Sequence, residues 1–345
     1  MATAVVFVGD RDFLLPTIGA AISARKHISD PEVQVVVFVT DLSQDELQPY
    51  GEALCFYDVK IRSTPIPGLA QVDRETYNVT HVPISALSRL WLDDYLAPDI
   101  DRFLYLDGDV DITGSLDDLL AADIPVGGFL AAPDLPLLIE PDIGRFAREA
   151  REYLAQIGVT NARSYFNSGV LLVDRSGWGM VSSAARDYIT KHPRSCRYHD
   201  QSALNAVAGS LRGELSLCWN YQTAFMMVGD PRSWGSEAKI WHFTGFPKPW
   251  HSTAFPWSSE FGSSYRLAAN ELALPSKWSS AIDEEAVANN KRGRQLLSLK
   301  LNWVYPWRRW RRARIIKAQL LEHETISLAQ RKLISSDHAR PLRVG

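Results

Sequence analysis

The sequence predicts an α/β protein whose core is an open, mixed but mostly parallel sheet, followed by a basic helical extension. Three observations lead there. Short apolar, β-branched runs alternate with stretches of helical length over residues 1–130, the pattern of βαβ units. Three of those runs end directly in polar residues, Gly9-Asp10, Thr40-Asp41 and Asp107-Gly108-Asp109. Such residues collect on the carboxyl rim of an open sheet, where α/β proteins bind their ligands. Third, charge is unevenly spread: residues 1–285 carry 23 Lys and Arg against 37 Asp and Glu, whereas residues 286–345 carry 14 against 3.

The elements follow in order. Val5 to Val8 read as a buried strand and Pro16 to Lys26 as the helix after it. Val33 to Val39 form a second strand and Leu54 to Ile61 a third. A helix around Ile84–Tyr95 precedes a strand at Arg102–Leu106. Farther on, Asn167-Ser168-Gly169 stands before a strand at Val170–Val173, and Asp200 to Val207 read as a helix. Glu214–Trp219 and Lys239–Phe243 look like further strands. The Ser-, Pro- and Trp-rich stretch at Thr253–Ser264 marks the passage from a main domain, 1–255, to an extension, 256–345.

Composition narrows the class. At 345 residues, 46% hydrophobic and 22% charged, the chain is an ordinary globular sequence, which argues against a disordered, collagenous or coiled-coil protein. No apolar run reaches the ~18 residues that a membrane crossing demands. The N-terminus enters a strand with no basic n-region, so no secretory leader is expected, and three scattered cysteines suit a reducing cytosol.

Asp107 and Asp109 are the first chemical feature. On an extended segment, residues two apart point the same way, so both carboxylates are expected at one spot. Like charges that close call for a cation between them, a hard divalent ion by preference, and Gly108 is expected to leave room for a bulky substrate. An Asp-x-Asp alone is more often a solvated loop; the apolar run Phe103-Leu104-Tyr105-Leu106 before it makes the functional reading the stronger one. Haloacid-dehalogenase-type phosphatases also use a strand-terminal pair. Their pattern continues with Thr or Val where this chain has Asp111, and it lies near the N-terminus.

Several ordered blocks over residues 4–252 resemble the retaining glycosyltransferases of family 8. They are Val6-Phe7-Val8-Gly9-Asp10, Ser88-Arg89-Leu90, Leu104-Tyr105-Leu106-Asp107-Gly108-Asp109, Tyr165-Phe166-Asn167-Ser168-Gly169-Val170 and Asp200-Gln201. The most specific is His242-Phe243-Thr244-Gly245-Phe246-Pro247-Lys248-Pro249-Trp250, similar to the family's His-x-x-Gly-x-x-Lys-Pro-Trp. The resemblance implies a Rossmann-like GT-A fold and a metal-dependent transfer of galactose or glucose from a UDP-sugar. It implies Asp107, Asp109 and His242 as ligands of Mn²⁺, with Mg²⁺ the alternative; an imidazole favours the former. It further implies diphosphate contacts at Gly245, Lys248 and His81, and base contacts at Val8, Asp10 and Asp12. Asp12 replaces the family's usual Asn, and an ionised carboxylate can only accept. Arg89, Asp134, Asn167, Asp200 and Gln201 fall at donor-sugar positions, Gly108 is a further nucleotide-sugar contact, and Gln201, Asp200 and Asp134 are implied as the catalytic residues. Gln201 stands where a covalent route would need a nucleophile, and an amide is a poor one, so same-face transfer is expected.

The basic extension holds ten Lys and Arg and no acid between Ala286 and Leu321, with Trp303, Tyr305, Trp307 and Trp310 among the arginines. Indole rings and cations together favour an anionic lipid surface. A basic helix folded back on the acidic body is the alternative, and no nucleic-acid-binding motif is present. The expected setting is therefore the inner face of a bacterial membrane, with a lipid-linked glycan such as lipopolysaccharide core as acceptor. Two rivals remain at this level: an Asp-x-Asp phosphatase or nucleotidyltransferase, and an inactive UDP-sugar-binding module that docks on membranes.

Overall fold

A computed structural model describes residues 2–64, 84–139, 144–223, 238–245, 248–250, 261–271 and 284–319. Strands β1 (Ala2–Gly9), β2 (Gln34–Val39), β3 (Val59–Ser63) and β4 (Ile100–Leu106) lie parallel in the order β3-β2-β1-β4. The chain then makes a short strand β5 (Val110–Ile112) off the sheet and returns as β6 (Phe129–Pro133). Strand β7 (Phe166–Asp174) inserts antiparallel between β4 and β6, and β8 (Arg212–Glu214) completes the seven strands beside β6. Strands β9 (Tyr221–Gln222) and β10 (Ile240–His242) join β5 in a second, three-stranded sheet, order β5-β10-β9. The mixed, mostly parallel sheet is as expected.

Alternation along β1 explains why it reads as one apolar run. Val5 and Phe7 enter the core on one face of the sheet, Ala4 and Val6 the core on the other. Helix Leu14–Lys26 covers the first face and is buried almost all round, because helix Ser263–Glu271 lies on its outer side. Helices Arg175–Lys191 and His199–Val207 cover the second face.

Four expectations are corrected. Leu54 ends a helix, Gln44–Cys55, instead of opening β3; a complete Ser43/Glu46 capping box fixes that helix's start. The segment Ile84–Trp91 is a 3₁₀ helix, with only Leu92–Tyr95 α-helical. Asn167, Ser168 and Gly169 lie within β7. The Glu214–Trp219 stretch holds the end of β8 and a 3₁₀ turn, Leu217–Trp219.

Toward the C-terminus, helix Glu284–Leu299 and a π-helical turn, Lys300–Val304, lead to a helix over 306–319 with Pro306 at its first position. Ile316 is fully buried in the first core, while Ala313 and Ile315 pack against it. Among the described residues no helix is long and apolar enough to cross a membrane.

Candidate active site

The carboxyl ends of the parallel strands meet on one rim. Thr40 donates its backbone N–H to the Gly9 carbonyl at 3.1 Å, and Arg11 donates its own to Asp41 at 2.8 Å. Asp10 is held twice: one oxygen accepts from the Phe13 N–H at 3.0 Å, the other from the Ser85 hydroxyl at 2.6 Å. Val8 is half-buried behind it and Asp12 is exposed at the rim. His81 lies outside the described residues.

Beyond β4 the chain turns at Gly108-Asp109, so the acid pair converges through a turn and not along a straight strand. The second sheet supplies the rest. Its register sets His242 opposite Val110, and Phe243 donates its N–H to the Asp109 carbonyl at 2.9 Å. The Asp107 N–H is fixed on the Gly169 carbonyl at 2.8 Å. One ligand atom from each of Asp107, Asp109 and His242 lies within 4.8 Å of the others. His242 Nε2 is 3.3 Å from Asp109 Oδ1 and 3.6 Å from Asp107 Oδ2.

Two glycines shape this spot. A Cβ on Gly169 would collide with His242 Cε1 and stand 2.6 Å from Asp107 Oδ2, so only glycine admits both ligands. Gly108 corrects an expectation: a Cβ there would strike the Thr17 hydroxyl and crowd Phe13 at 3.2 Å, so the close neighbour is the protein's own helix. Gly245 has φ +81°, a left-handed conformation that suits glycine.

The donor set, two carboxylates and an imidazole, fits a divalent cation with mixed oxygen and nitrogen ligands. The protein already places positive charge there: Lys248 Nζ lies 2.5 Å from Asp109 Oδ2 and donates to the Phe243 carbonyl at 2.6 Å. Burial alone would raise the Asp109 carboxyl, yet the Lys248 ammonium beside it holds it well below the usual carboxylate range.

Behind the ligands stands Arg89, buried and stacked 4.6 Å from the Tyr105 ring. It pairs with Asp107 at 2.9 Å and Asp200 at 3.0 Å, and donates to the Ser168 carbonyl at 2.6 Å. Tyr105 donates its hydroxyl to Asp107 at 2.6 Å. Burial works against the guanidinium's charge, but the two aspartates raise its pKa regardless. Asp200 is itself pushed up to about 6 by burial, against the pull of Arg89 and with a further push from Asp107.

An amide network continues from the ligands. Gln201 donates to Asp134 at 3.0 Å and to the Tyr165 hydroxyl at 3.2 Å, and its oxygen accepts from Asn167 at 3.1 Å and from the Ser168 N–H at 3.2 Å. Asp134 also caps helix Leu135–Leu138, accepting from the Leu137 N–H at 3.2 Å, and burial raises its carboxyl. The structure thus brings together Arg89, Asp107, Asp109, Asp134, Asn167, Asp200, Gln201, His242 and Lys248. Sequence reasoning passed over Gly169, Asn220, Tyr105 and Tyr165. Gly169 stood inside a recognised block; Asn220 stood in none.

An acid–acid–imidazole cluster on the carboxyl rim of such a sheet is a candidate cation site at the place where open α/β sheets bind their ligands. The chain belongs to glycosyl transferase family 8, whose model matches residues 4–254. General stress protein A of Bacillus subtilis is 28% identical over 67% of this chain and 82% of its own length. A lipopolysaccharide 1,2-glucosyltransferase of Escherichia coli K12 is 26% identical over 63% of this chain and 62% of its own. Among solved structures, galactosyltransferase LgtC with donor and acceptor sugar analogues superposes with a TM-score of 0.63 at 24% identity, over 80% of this chain and 98% of that one, which shows the GT-A fold. The protein is therefore a glycosyltransferase, and neither the phosphatase nor the inactive-module reading is favoured.

Proposed function

We propose that the protein transfers a hexose, galactose or glucose, from a UDP-sugar to a glycan acceptor with retention, aided by Mn²⁺ or Mg²⁺. The observation that carries this is the convergence of Asp107, Asp109 and His242 beside Lys248, all on the rim next to the Arg89, Asp200 and Gln201 network. Asp107, Asp109 and His242 would hold the divalent ion, which would supply Lewis-acid neutralisation of the diphosphate.

The chain's own groups do the rest. Arg89 keeps Asp107 and Asp200 in place from behind, leaving the opposite edge of Asp107 to the cation. Lys248 trades its bond to Asp109 for one to the diphosphate, where a point charge and the Gly245 turn suit phosphate oxygens. Asp134, Asn167, Asp200 and Gln201 form the polar floor for sugar hydroxyls; an unmatched buried group there costs about 1–3 kcal/mol, which gives selectivity. The bond from the anomeric carbon to the diphosphate breaks, a bond to the acceptor oxygen forms on the same face, and the acceptor's proton passes to the departing diphosphate. Val8, Asp10 and Asp12 are the base side of the site.

Lipopolysaccharide core as acceptor is supported by the related glucosyltransferase, and location at the inner face of a bacterial membrane by the C-terminal helices. Trp303, Trp307 and Trp310 are 82%, 61% and 64% exposed, among basic side chains. The division into a catalytic domain, 1–255, and an extension, 256–345, belongs to the same proposal.

A donor screen with Mn²⁺, following UDP release from UDP-Gal, UDP-Glc and UDP-GlcNAc, tests the activity. Release with a hexose donor and a lipopolysaccharide-core acceptor is expected. Asp109→Asn is expected to fall below about 1% of that rate while still melting cooperatively, at a midpoint lowered by the lost pairing with Lys248. Equal rates with and without chelator would remove the cation from the mechanism.

A further inference from the structure

Asn220 is fully buried between the 3₁₀ turn Leu217–Trp219 and β9, and its side chain bridges two parts of the site. Amide oxygen and nitrogen look alike in outline, so orientation must come from partners that can play one role only. The backbone supplies two. The Gly169 N–H donates to Asn167 Oδ1 at 3.0 Å, and the Ser168 N–H donates to Gln201 Oε1 at 3.2 Å. Both faced atoms must be oxygens. Asn167 Nδ2 therefore donates to Gln201 Oε1, and Asn167 Oδ1 is left to accept from Asn220 Nδ2 at 2.9 Å. With its nitrogen so committed, Asn220 turns its oxygen to His242 Nδ1 at 2.9 Å, and that ring nitrogen must carry a hydrogen. Nε2 is then the nitrogen that faces Asp109 and Asp107.

We propose that Asn220 is a positioning residue that holds His242 in the Nδ1–H tautomer and so aims the Nε2 lone pair at the cation between Asp107 and Asp109. Two backbone amides in β7 dictate the choice through Asn167, and the imidazole has no freedom to present the wrong nitrogen. Hydrogen-bond partners behind a ligating histidine set its tautomer, and removing one typically lowers metal affinity about 10–100-fold. The inference rests on the cation reading, and the tautomer can be read without any metal.

The test uses metal-free protein labelled with ¹⁵N-histidine and long-range ¹H–¹⁵N correlation, the His242 signals being identified by their loss in His242→Gln. Wild type is expected to show Nδ1–H, Asn220→Asp to retain it, and Asn220→Ala to lose it. Mn²⁺ binding in the presence of UDP, read by electron paramagnetic resonance, is expected to weaken about 10–100-fold in Asn220→Ala and little in Asn220→Asp. A wild-type His242 with a bare Nδ1 and its hydrogen on Nε2 alone overturns the proposal, even if Asn220→Ala fails to fold. An Asn220→Ala protein with unchanged tautomer and unchanged Mn²⁺ affinity overturns it too. If wild type binds no Mn²⁺ but shows Nδ1–H, the cation reading fails and the hydrogen-bonded chain stands.

Discussion

At the residue scale, this site is built from charges that are costly to bury and are made tolerable by one another. Arg89 lies between Asp107 and Asp200, and Lys248 answers Asp109, so these three carboxylates each have a cation at hand, while Asp134 is held by Gln201 and the Leu137 N–H. The two acids are tuned in opposite directions, with opposite consequences for stability. Burial pushes Asp200 in the folded protein up to about 6, well above an ordinary aspartate, so the native state binds that proton more tightly. Stability from this group is lost as pH rises from about 4 to about 6, at up to ~1.4 kcal/mol per pH unit. Asp109, held low, contributes stability above about pH 4 that is lost on acidification. Urea unfolding across pH 4–7 should show the Asp200 slope in wild type and not in Asp200→Asn; parallel curves would remove this account. Gly169→Ala is a second case. Its Cβ would push His242 and Asp107 apart, which should weaken Mn²⁺ affinity in the presence of UDP and cost about 1–3 kcal/mol of stability. Titration with Mn²⁺ and a melting curve check both.

At the scale of elements, the second sheet is the device that completes the site. Strand β5 follows the acid turn directly, and β10 pairs with it from more than a hundred residues away, delivering His242 and then Lys248. The far side of the same turn is tied to the C-terminal part of the chain: Asp111 on β5 accepts from the Ser263 hydroxyl at 3.2 Å and from Ser264. Helix Ser263–Glu271 comes so close to helix Leu14–Lys26 that a Cβ on Gly19 would sit 2.6 Å from the Ser264 carbonyl oxygen. Gly19→Ala should therefore loosen that helix at about 1–3 kcal/mol, seen as faster amide exchange over 261–271; unchanged exchange would mean the contact is slack. Periodicity found most strands and the helices at Leu14–Lys26 and His199–Val207, because their apolar spacing is strong. It misread Leu54 and Glu214–Trp219, where short elements meet and an apolar residue serves a helix end or a turn as readily as a strand.

For the whole molecule, the basic C-terminal part both packs and presents. Ile316 is buried in the core on the covered side, while Leu296, Leu299, Trp303, Val304, Trp307 and Trp310 remain exposed. That division decides how membrane association is tested. Cutting the chain near Ser259 would also remove helix Ser263–Glu271 and Ile316, confusing lost docking with lost core. Replacing Trp303, Trp307 and Trp310 by Ser leaves the buried contacts alone, and should weaken binding to vesicles of anionic lipid at least about tenfold. Raised salt should weaken wild-type binding as well, since the basic residues act through a screened field. Equal vesicle binding by both proteins would count against lipid as the occupant.

The sequence by itself determined the fold class, the parallel strands of the sheet's first half with their polar rim, the family blocks and the closeness of Asp107 to Asp109, because these are local: apolar spacing and strand-terminal acids are written in consecutive residues. Tertiary structure alone decided that Gly169 makes room for Asp107 and His242, that Gly108 lies against Thr17, that Arg89 braces carboxylates, and that Asn220 meets the His242 ring. Those are meetings of groups from elements far apart in the chain, and nothing in the neighbouring residues records a collision or a hydrogen bond that forms only when those helices, turns and strands come together.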